Sequence, residues 1–294
     1  MLTQTTIKWW QAFNPAIYLI SILPAIAVIV LAGEAPIWKQ GLIFSTLAVV
    51  LIQHAINLFN DVSDWNLGAD TEKMDSWVRA SNGNTRTVTI HAFISFFSGG
   101  IIGLSVLIVG DKLWIIIIAL PLIALGYLYN AGKHPLSYTW MGEWVTGVCY
   151  GPGVFGCLWL VTGLDLNITA VLGMITFATL AVSLLLSHQP PQIETDRAVG
   201  KKSFCVRYGI QKTRQVSVAL FTIALLLIGA GISLNHNFSY LQYTSLFLLI
   251  ISFCFYLGKI GPNPKRVLLL SSTLLLLSVI ALPWLVHTNP VPAL

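Results

Sequence analysis

The chain has 294 residues, 56% of them apolar and only 9% charged. A soluble domain carries about 25% charged residues, so these proportions exclude a water-soluble fold and specify an integral membrane protein. The net charge of +5 is not a nucleic-acid footprint, because the basic residues lie in short loops between apolar runs.

A membrane-spanning helix needs about 20 predominantly apolar residues. Nine stretches qualify in chain order: 16–32, 38–62, 88–109, 113–130, 141–162, 168–189, 213–234, 239–258 and 267–288. Polar punctuation such as Gly33-Glu34-Ala35-Pro36, Gly110-Asp111-Lys112 and Gly261-Pro262-Asn263-Pro264 separates them. The first stretch has no small-residue cleavage site after a short core, so no cleavable leader is expected. With nine spans, the N-terminus and the loops after spans two, four, six and eight share a side. That side holds fourteen of the sixteen Lys and Arg residues, and the other only Lys39 and Lys112. By the positive-inside rule the basic side is cytoplasmic. The expectation is an all-α, polytopic protein of the inner membrane, one nine-helix bundle over residues 1–294. Its N-terminus and a polar cavity face the cytoplasm. The four cysteines (Cys149, Cys157, Cys205, Cys254) form no C-x-x-C pair and read as structural thiols.

The second span ends in QHAINLFNDVSDWNLGAD, residues 53–70. On a helix Gln53, Asn57, Asn60, Asp61 and Asp64 recur at spacings of three and four and form one polar stripe. Acids and amides at the end of a membrane helix are costly unless they pair, bind a cation or line a wet cavity. Gly68 can break the helix and turn the chain back toward Asp70. Hard oxygen ligands so clustered suit Mg²⁺, which takes one or two carboxylates and completes its shell with water and substrate phosphates. A solvated helix end with an Asp-rich cap is the plainer alternative. The following loop carries Lys73, Arg79 and Arg86, which either grip diphosphate oxygens or only set topology.

The short loop after span four brings Tyr127, Tyr129, Lys133, Tyr138 and Gly142-Glu143. Interfacial tyrosines are common as belt residues, and an acid at a helix N-terminus is favourable without any function. A second polar run, SHQPPQIETDRAVGKKS, ends span six. His188, Gln192 and Asp196 are spaced by four, although Pro190-Pro191 must distort the helix between them. Lys201, Lys202 and Arg207 follow. An acid with three cations is a plausible phosphate and metal half-site, and the two motifs end the second span of each four-span unit, as in a tandem pseudo-repeat. His188 reads as ligand, base or satisfied interior histidine. No P-loop, nucleophile elbow, H-E-x-x-H or dinucleotide glycine fingerprint occurs. A transporter would place its acids near the midplane on broken helices, whereas these cluster at helix ends.

These residues resemble the UbiA superfamily of intramembrane prenyltransferases, whose pattern is N-D-x-x-D-x-x-x-D followed by D-x-x-x-D on a nine-helix bundle. Asn60, Asp61 and Asp64 match the first positions; the last acid falls on Gly68, with Asp70 two residues later. That variant, Tyr138, Gly142-Glu143 and DRAVGKKSFCVRYG are most similar to the 1,4-dihydroxy-2-naphthoate (MenA-type) subfamily. Tyr129 and Lys133 fit the superfamily's Y-x-x-x-K. Gln192 stands where an Asp is usual, and Asn14-Pro15 where Arg-Pro is usual. The resemblance implies Mg²⁺ held by Asn60, Asp61, Asp64 and Asp196, and catalysis by Asp61, Asp64, Asp70, Asp196 and Lys201. It also implies substrate contacts from Asn57, Asn60, Lys73, Arg79, Tyr129, Lys133, Glu143, His188, Gln192, Lys202 and Arg207. The partners implied are a polyprenyl diphosphate, a small aromatic acceptor and the bilayer. Another acceptor such as 4-hydroxybenzoate or homogentisate stays open, and so does the general base, among Asp70, Glu143 and His188.

Overall fold

With no water in the bilayer core, each span must satisfy its own backbone hydrogen bonds, and the helix is the economical way to do so. The computed structural model describes residues 7–69, 75–130, 135–235 and 240–287, with side chains to residue 280. All regular structure among these residues is helical. The long helices are α1 (Leu19–Ala32), α2 (Lys39–Asn66), α3 (Thr85–Val109), α4 (Ile116–Asn130), α5 (Gly142–Val161), α6 (Ile168–His188), α7 (Ile210–Asn235), α8 (Tyr240–Ile260) and α9 (Pro264–His287). Among the described residues eight helical segments, those containing α1 to α8, are long and apolar enough to cross a membrane. α9 covers the ninth expected stretch. The four cysteines are free thiols, as expected.

Two departures from the expected spans bear on the site. α2 runs on to Asn66, past the expected end at 62, so Asp61 and Asp64 lie within its last turns. α5 is π-helical from Cys149 to Gly156, around Pro152. Proline has no N–H to give to the carbonyl one turn back, and the wider turn absorbs that loss.

Most helices adjacent in sequence pack together, α4 docking on α2 and α5 rather than on α3, and α9 returns to α1. Polar groups supply part of the adhesion: Ser183 Oγ donates to Ser217 O at 2.7 Å and Ser217 Oγ to Ser183 O at 2.9 Å, both fully buried between α6 and α7. Such interhelical bonds matter where lipid leaves little hydrophobic drive between helices. The outward face of α3 presents Phe93, Phe97, Ile101, Leu104 and Ile108 at helical spacing, all exposed, as a lipid-facing stripe requires.

Candidate functional site

The end of α2 is built by its own sequence. Gly68 takes a positive φ of 79°, which glycine adopts without a Cβ penalty. Its N–H donates to Trp65 O at 3.2 Å, and Ala69 N donates to Asp64 O at 2.8 Å. This is a Schellman closure, and it fixes Asp64 in the last turn. Asp64 is 2% exposed. Its Oδ2 accepts from Asn60 Nδ2 at 2.9 Å and its Oδ1 from the Tyr138 hydroxyl at 2.9 Å. Asp61 faces the returning chain: its Oδ2 accepts from Ser76 Oγ at 3.0 Å and from Val78 N at 2.8 Å. Asp61 thus anchors the helical turn Trp77–Ala80, which carries the half-buried Arg79.

The second motif repeats this design. α6 stops at His188; Pro190–Gln192 form a 3-10 turn and Ile193–Ala198 a short helix. The prolines therefore break the four-residue register of His188, Gln192 and Asp196 rather than bending it. Gly200 has φ 74°. Gly200 N donates to Arg197 O at 3.2 Å and Lys201 N to Asp196 O at 2.9 Å. Asp64 and Asp196 occupy the same position in two Schellman closures, each four residues before its glycine. Asp196 is 2% exposed, accepts from Ser203 Oγ at 2.8 Å and pairs with Lys201 Nζ at 3.4 Å.

The two motifs meet through one side chain. Tyr138 donates to Asp64, its ring lies 5.3 Å from Lys201 Nζ, and its carbonyl accepts from Lys202 N at 2.9 Å. Asp64, Tyr138, Lys201 and Asp196 form a continuous chain of contacts between the two motifs. Lys202 itself is exposed.

Glu143 and Arg207 are brought together, but with each other. Glu143 Oε1 accepts from Gln189 Nε2 at 3.0 Å and Phe204 N at 2.7 Å, and its Oε2 from Arg207 Nη2 at 3.2 Å. Gln189 Oε1 accepts in turn from Cys205 N at 3.0 Å. These bonds clamp the short helix Phe204–Tyr208 to the ends of α5 and α6. Half-buried Tyr129 stands within electrostatic reach of Lys201, Glu143 and Asp64. Asn57, His188 and Gln192 are half-buried. Gln53 Nε2 donates to Ile17 O at 3.2 Å, while its buried Oε1 has no partner among the described residues. Asp70, Lys73 and Lys133 lie outside the described residues.

Sequence reasoning passed over Ser76, Ser203, Gln189 and the pairing role of Tyr138. It also passed over a buried relay in which the Tyr18 hydroxyl and His54 Nδ1 are 2.6 Å apart and His54 Nε2 and His91 Nε2 3.3 Å apart. The shared D-x-x-x-G of the two motifs was the legible signal for their common local structure. Ser76 and Gln189 carry no spacing signal.

Beneath the acids two apolar cavities of about 150 and 290 Å³ share Val49, Ile52, Ala119, Ile123 and Cys157 among their linings. The first begins at Gln53; the second reaches Gly100, Gly103 and exposed Leu104 and Leu120, between α3 and α4.

Among the described residues no three acidic, histidine or cysteine side chains converge to cage a metal alone. The donors are instead split, Asn60, Asp61 and Asp64 on one side and Asp196 on the other. Hard oxygen donors divided in this way fit Mg²⁺, which completes its shell with phosphate and water rather than requiring an all-protein cage.

The chain is 27% identical over 219 residues to the 1,4-dihydroxy-2-naphthoate octaprenyltransferase of Bacillus subtilis, covering 73% of this chain and 70% of that one. It is 27% identical over 226 residues to the 2-carboxy-1,4-naphthoquinone phytyltransferase of Synechocystis, 76% of this chain and 72% of that one. Its fold is that of a UbiA homologue from Archaeoglobus fulgidus solved with DMAPP and Mg²⁺, at a TM-score of 0.65 and 14% identity, covering 96% of this chain and 100% of that one. A UbiA homologue from Aeropyrum pernix, solved without ligand, gives a TM-score of 0.65 at 14% identity over 91% of this chain and 98% of that one. With the family's sequence profile matching residues 21–267, the chain belongs to the UbiA prenyltransferase family.

Proposed function

We propose that this prenyltransferase moves a polyprenyl chain from its diphosphate to 1,4-dihydroxy-2-naphthoate, and that residues 1–294 act as one nine-span domain. The observation that carries the reading is the continuous contact from Asp64 through Tyr138 and Lys201 to Asp196, which lets one head group address both motifs. The acceptor comes from the relatives: the proteins of Bacillus subtilis and Synechocystis both bear names of naphthoate- or naphthoquinone-type prenyl transfer.

The head group lies between Asn60, Asp61 and Asp64 on one side and Asp196 on the other. Mg²⁺ held by these oxygens would neutralise charge on the departing diphosphate. Asn60 and Tyr138 fix the Asp64 carboxylate, and Ser203 fixes that of Asp196. Lys201 stands beside Asp196 and supplies a cation where negative charge grows, the electrostatic role that usually dominates catalysis. The C1–O bond of the allylic diphosphate breaks heterolytically and diphosphate leaves. The electron-rich acceptor ring attacks C1, a carbon–carbon bond forms, and the acceptor carboxylate departs as CO₂. Water would quench the allylic cation, and the burial of Asp61, Asp64 and Asp196, at 7%, 2% and 2% exposure, keeps the site dry.

Inside-out vesicles from cells of the inner membrane, given a polyprenyl diphosphate, dihydroxynaphthoate and Mg²⁺, are expected to form the prenylated naphthoquinol, read by mass spectrometry. Right-side-out vesicles are expected to form none, because both motifs lie on the basic, cytoplasmic side. Full activity in EDTA would rule the mechanism out.

The tail occupies the paired cavities and leaves between α3 and α4. Each buried methylene is worth about 0.8 kcal/mol, so the tail supplies much of the binding. A Cβ on Gly100 meets nothing within 4 Å, so a side chain fits there without moving the backbone. Gly100→Phe is expected to lower kcat/KM for an octaprenyl diphosphate by about tenfold or more, a loss of roughly 1.4 kcal/mol of tail contact. Turnover of geranyl diphosphate stays within twofold. Equal losses for both substrates would place the tail elsewhere.

A further inference from the structure

We infer that Tyr138 is a positioning residue that joins the two acidic motifs into one diphosphate site, and that its hydroxyl does the joining. The inference rests on the prenyl-transfer reading and goes beyond it, because Tyr138 lies in neither motif. It ends the 3-10 turn Leu136–Tyr138, between α4 and α5. From there its hydroxyl reaches the first motif, donating to Asp64 Oδ1 at 2.9 Å. Tyr138 meets the second through its ring, 5.3 Å from Lys201 Nζ, and through its carbonyl, which accepts from Lys202 N at 2.9 Å.

The chemistry of the side chain suits the task. Asp64 and Asp196 are both buried, and each needs a donor to stay in place. Asp196 has Lys201 and Ser203. Asp64 has Asn60 from its own helix and Tyr138 from outside it. A phenol bonds a carboxylate without cancelling its charge, so Asp64 remains an anionic ligand. A lysine at the same point would neutralise it and compete with a cation. The ring, meanwhile, attracts the Lys201 ammonium through its quadrupole and holds it on the Asp196 side. Tyr138 therefore sets the separation of an anion in one motif and a cation in the other, the two groups a magnesium diphosphate must meet together.

The test is Tyr138→Phe, which removes the hydroxyl and leaves the ring under Lys201. Binding of geranyl thiolodiphosphate, an unreactive analogue, is measured by calorimetry in detergent with Mg²⁺ present, alongside steady-state kinetics. One hydrogen bond to a charged acceptor accounts for about a tenfold effect, so Kd is expected to rise about tenfold. KM for the prenyl diphosphate follows it, with kcat changing less than threefold. The melting temperature falls only modestly, since Asn60 still donates to Asp64, whereas a merely structural role would lower it and leave Kd and KM unchanged. Tyr138→Leu, which also removes the ring beside Lys201, is expected to weaken binding further. Wild-type affinity in Tyr138→Phe overturns the inference alone. A wild-type protein that binds no thiolodiphosphate overturns the prenyl-transfer reading and this inference with it.

Discussion

Asp64→Ala and Asp196→Ala are each expected to lower kcat/KM by roughly a thousandfold, the scale on which loss of a preorganised electrostatic group is felt. Each variant should insert and fold. Asp64 supports α2 with its backbone carbonyl, which accepts from Ala69 N at 2.8 Å, and alanine keeps that bond. Asp196 likewise closes its turn through its carbonyl, to Lys201 N at 2.9 Å. Neither carboxylate is needed to close its own turn; the partners lost with it are side chains, Asn60 and Tyr138 for Asp64, Ser203 and Lys201 for Asp196. The two losses should differ in kind. Asp196→Ala removes the anion 3.4 Å from Lys201, whose side chain is 16% exposed, and leaves that cation uncompensated on this side. Asp196→Asn keeps an acceptor for Ser203 but removes the charge, and should remain nearly as inactive. Wild-type turnover in either alanine variant would remove the motif from the mechanism.

Asp61 is a more entangled case, and it shows what the sequence can and cannot tell. The polar stripe of α2 was readable because helical spacing puts Asn57, Asn60, Asp61 and Asp64 on one side, and α2 does extend to include them. Which of those acids also holds the fold was not readable. Asp61 bonds Ser76 and Val78, beyond the turn at Gly68, and such a contact depends on where the loop returns. The side chain of Asp61 therefore holds backbone of the returning segment, through Val78 N, whereas those of Asp64 and Asp196 are held by other side chains.

The same limit applies to the second motif. Periodicity gave His188, Gln192 and Asp196 a common face. Pro190 and Pro191 cost the helix two N–H donors, and the α-helix resumes at Ile193 only after a 3-10 turn. What survives is local: an acid four residues before a glycine of positive φ, found at Asp64–Gly68 and again at Asp196–Gly200. A pattern carried by backbone geometry within six residues can be read from sequence. The pairing of Glu143 with Arg207, 64 residues apart, cannot, since it depends on how α5, α6 and the helix Phe204–Tyr208 dock.

That pairing leads to the second large effect. Glu143→Ala is expected to destabilise the protein by about 2–3 kcal/mol. Breaking a fully buried ion pair costs about 3–5 kcal/mol, and the figure is lowered because Arg207 is 28% exposed. The loss falls on three donors at once, Gln189 Nε2, Phe204 N and Arg207 Nη2. Activity should fall with the melting temperature, because the helix Phe204–Tyr208 follows directly on Ser203, which holds Asp196. Glu143→Gln separates this role from proton transfer. An amide oxygen can still accept from Phe204 N, while its NH₂ faces the Arg207 guanidinium without a bond, so a milder loss of about 1–1.5 kcal/mol is expected. Turnover at a temperature where the variant is folded should stay within a few fold of wild type. A general base contributes roughly a hundred- to ten-thousandfold, and glutamine cannot serve as one. A folded Glu143→Gln protein slowed by that much would therefore return Glu143 to the reaction itself, and the clamp would become its second duty.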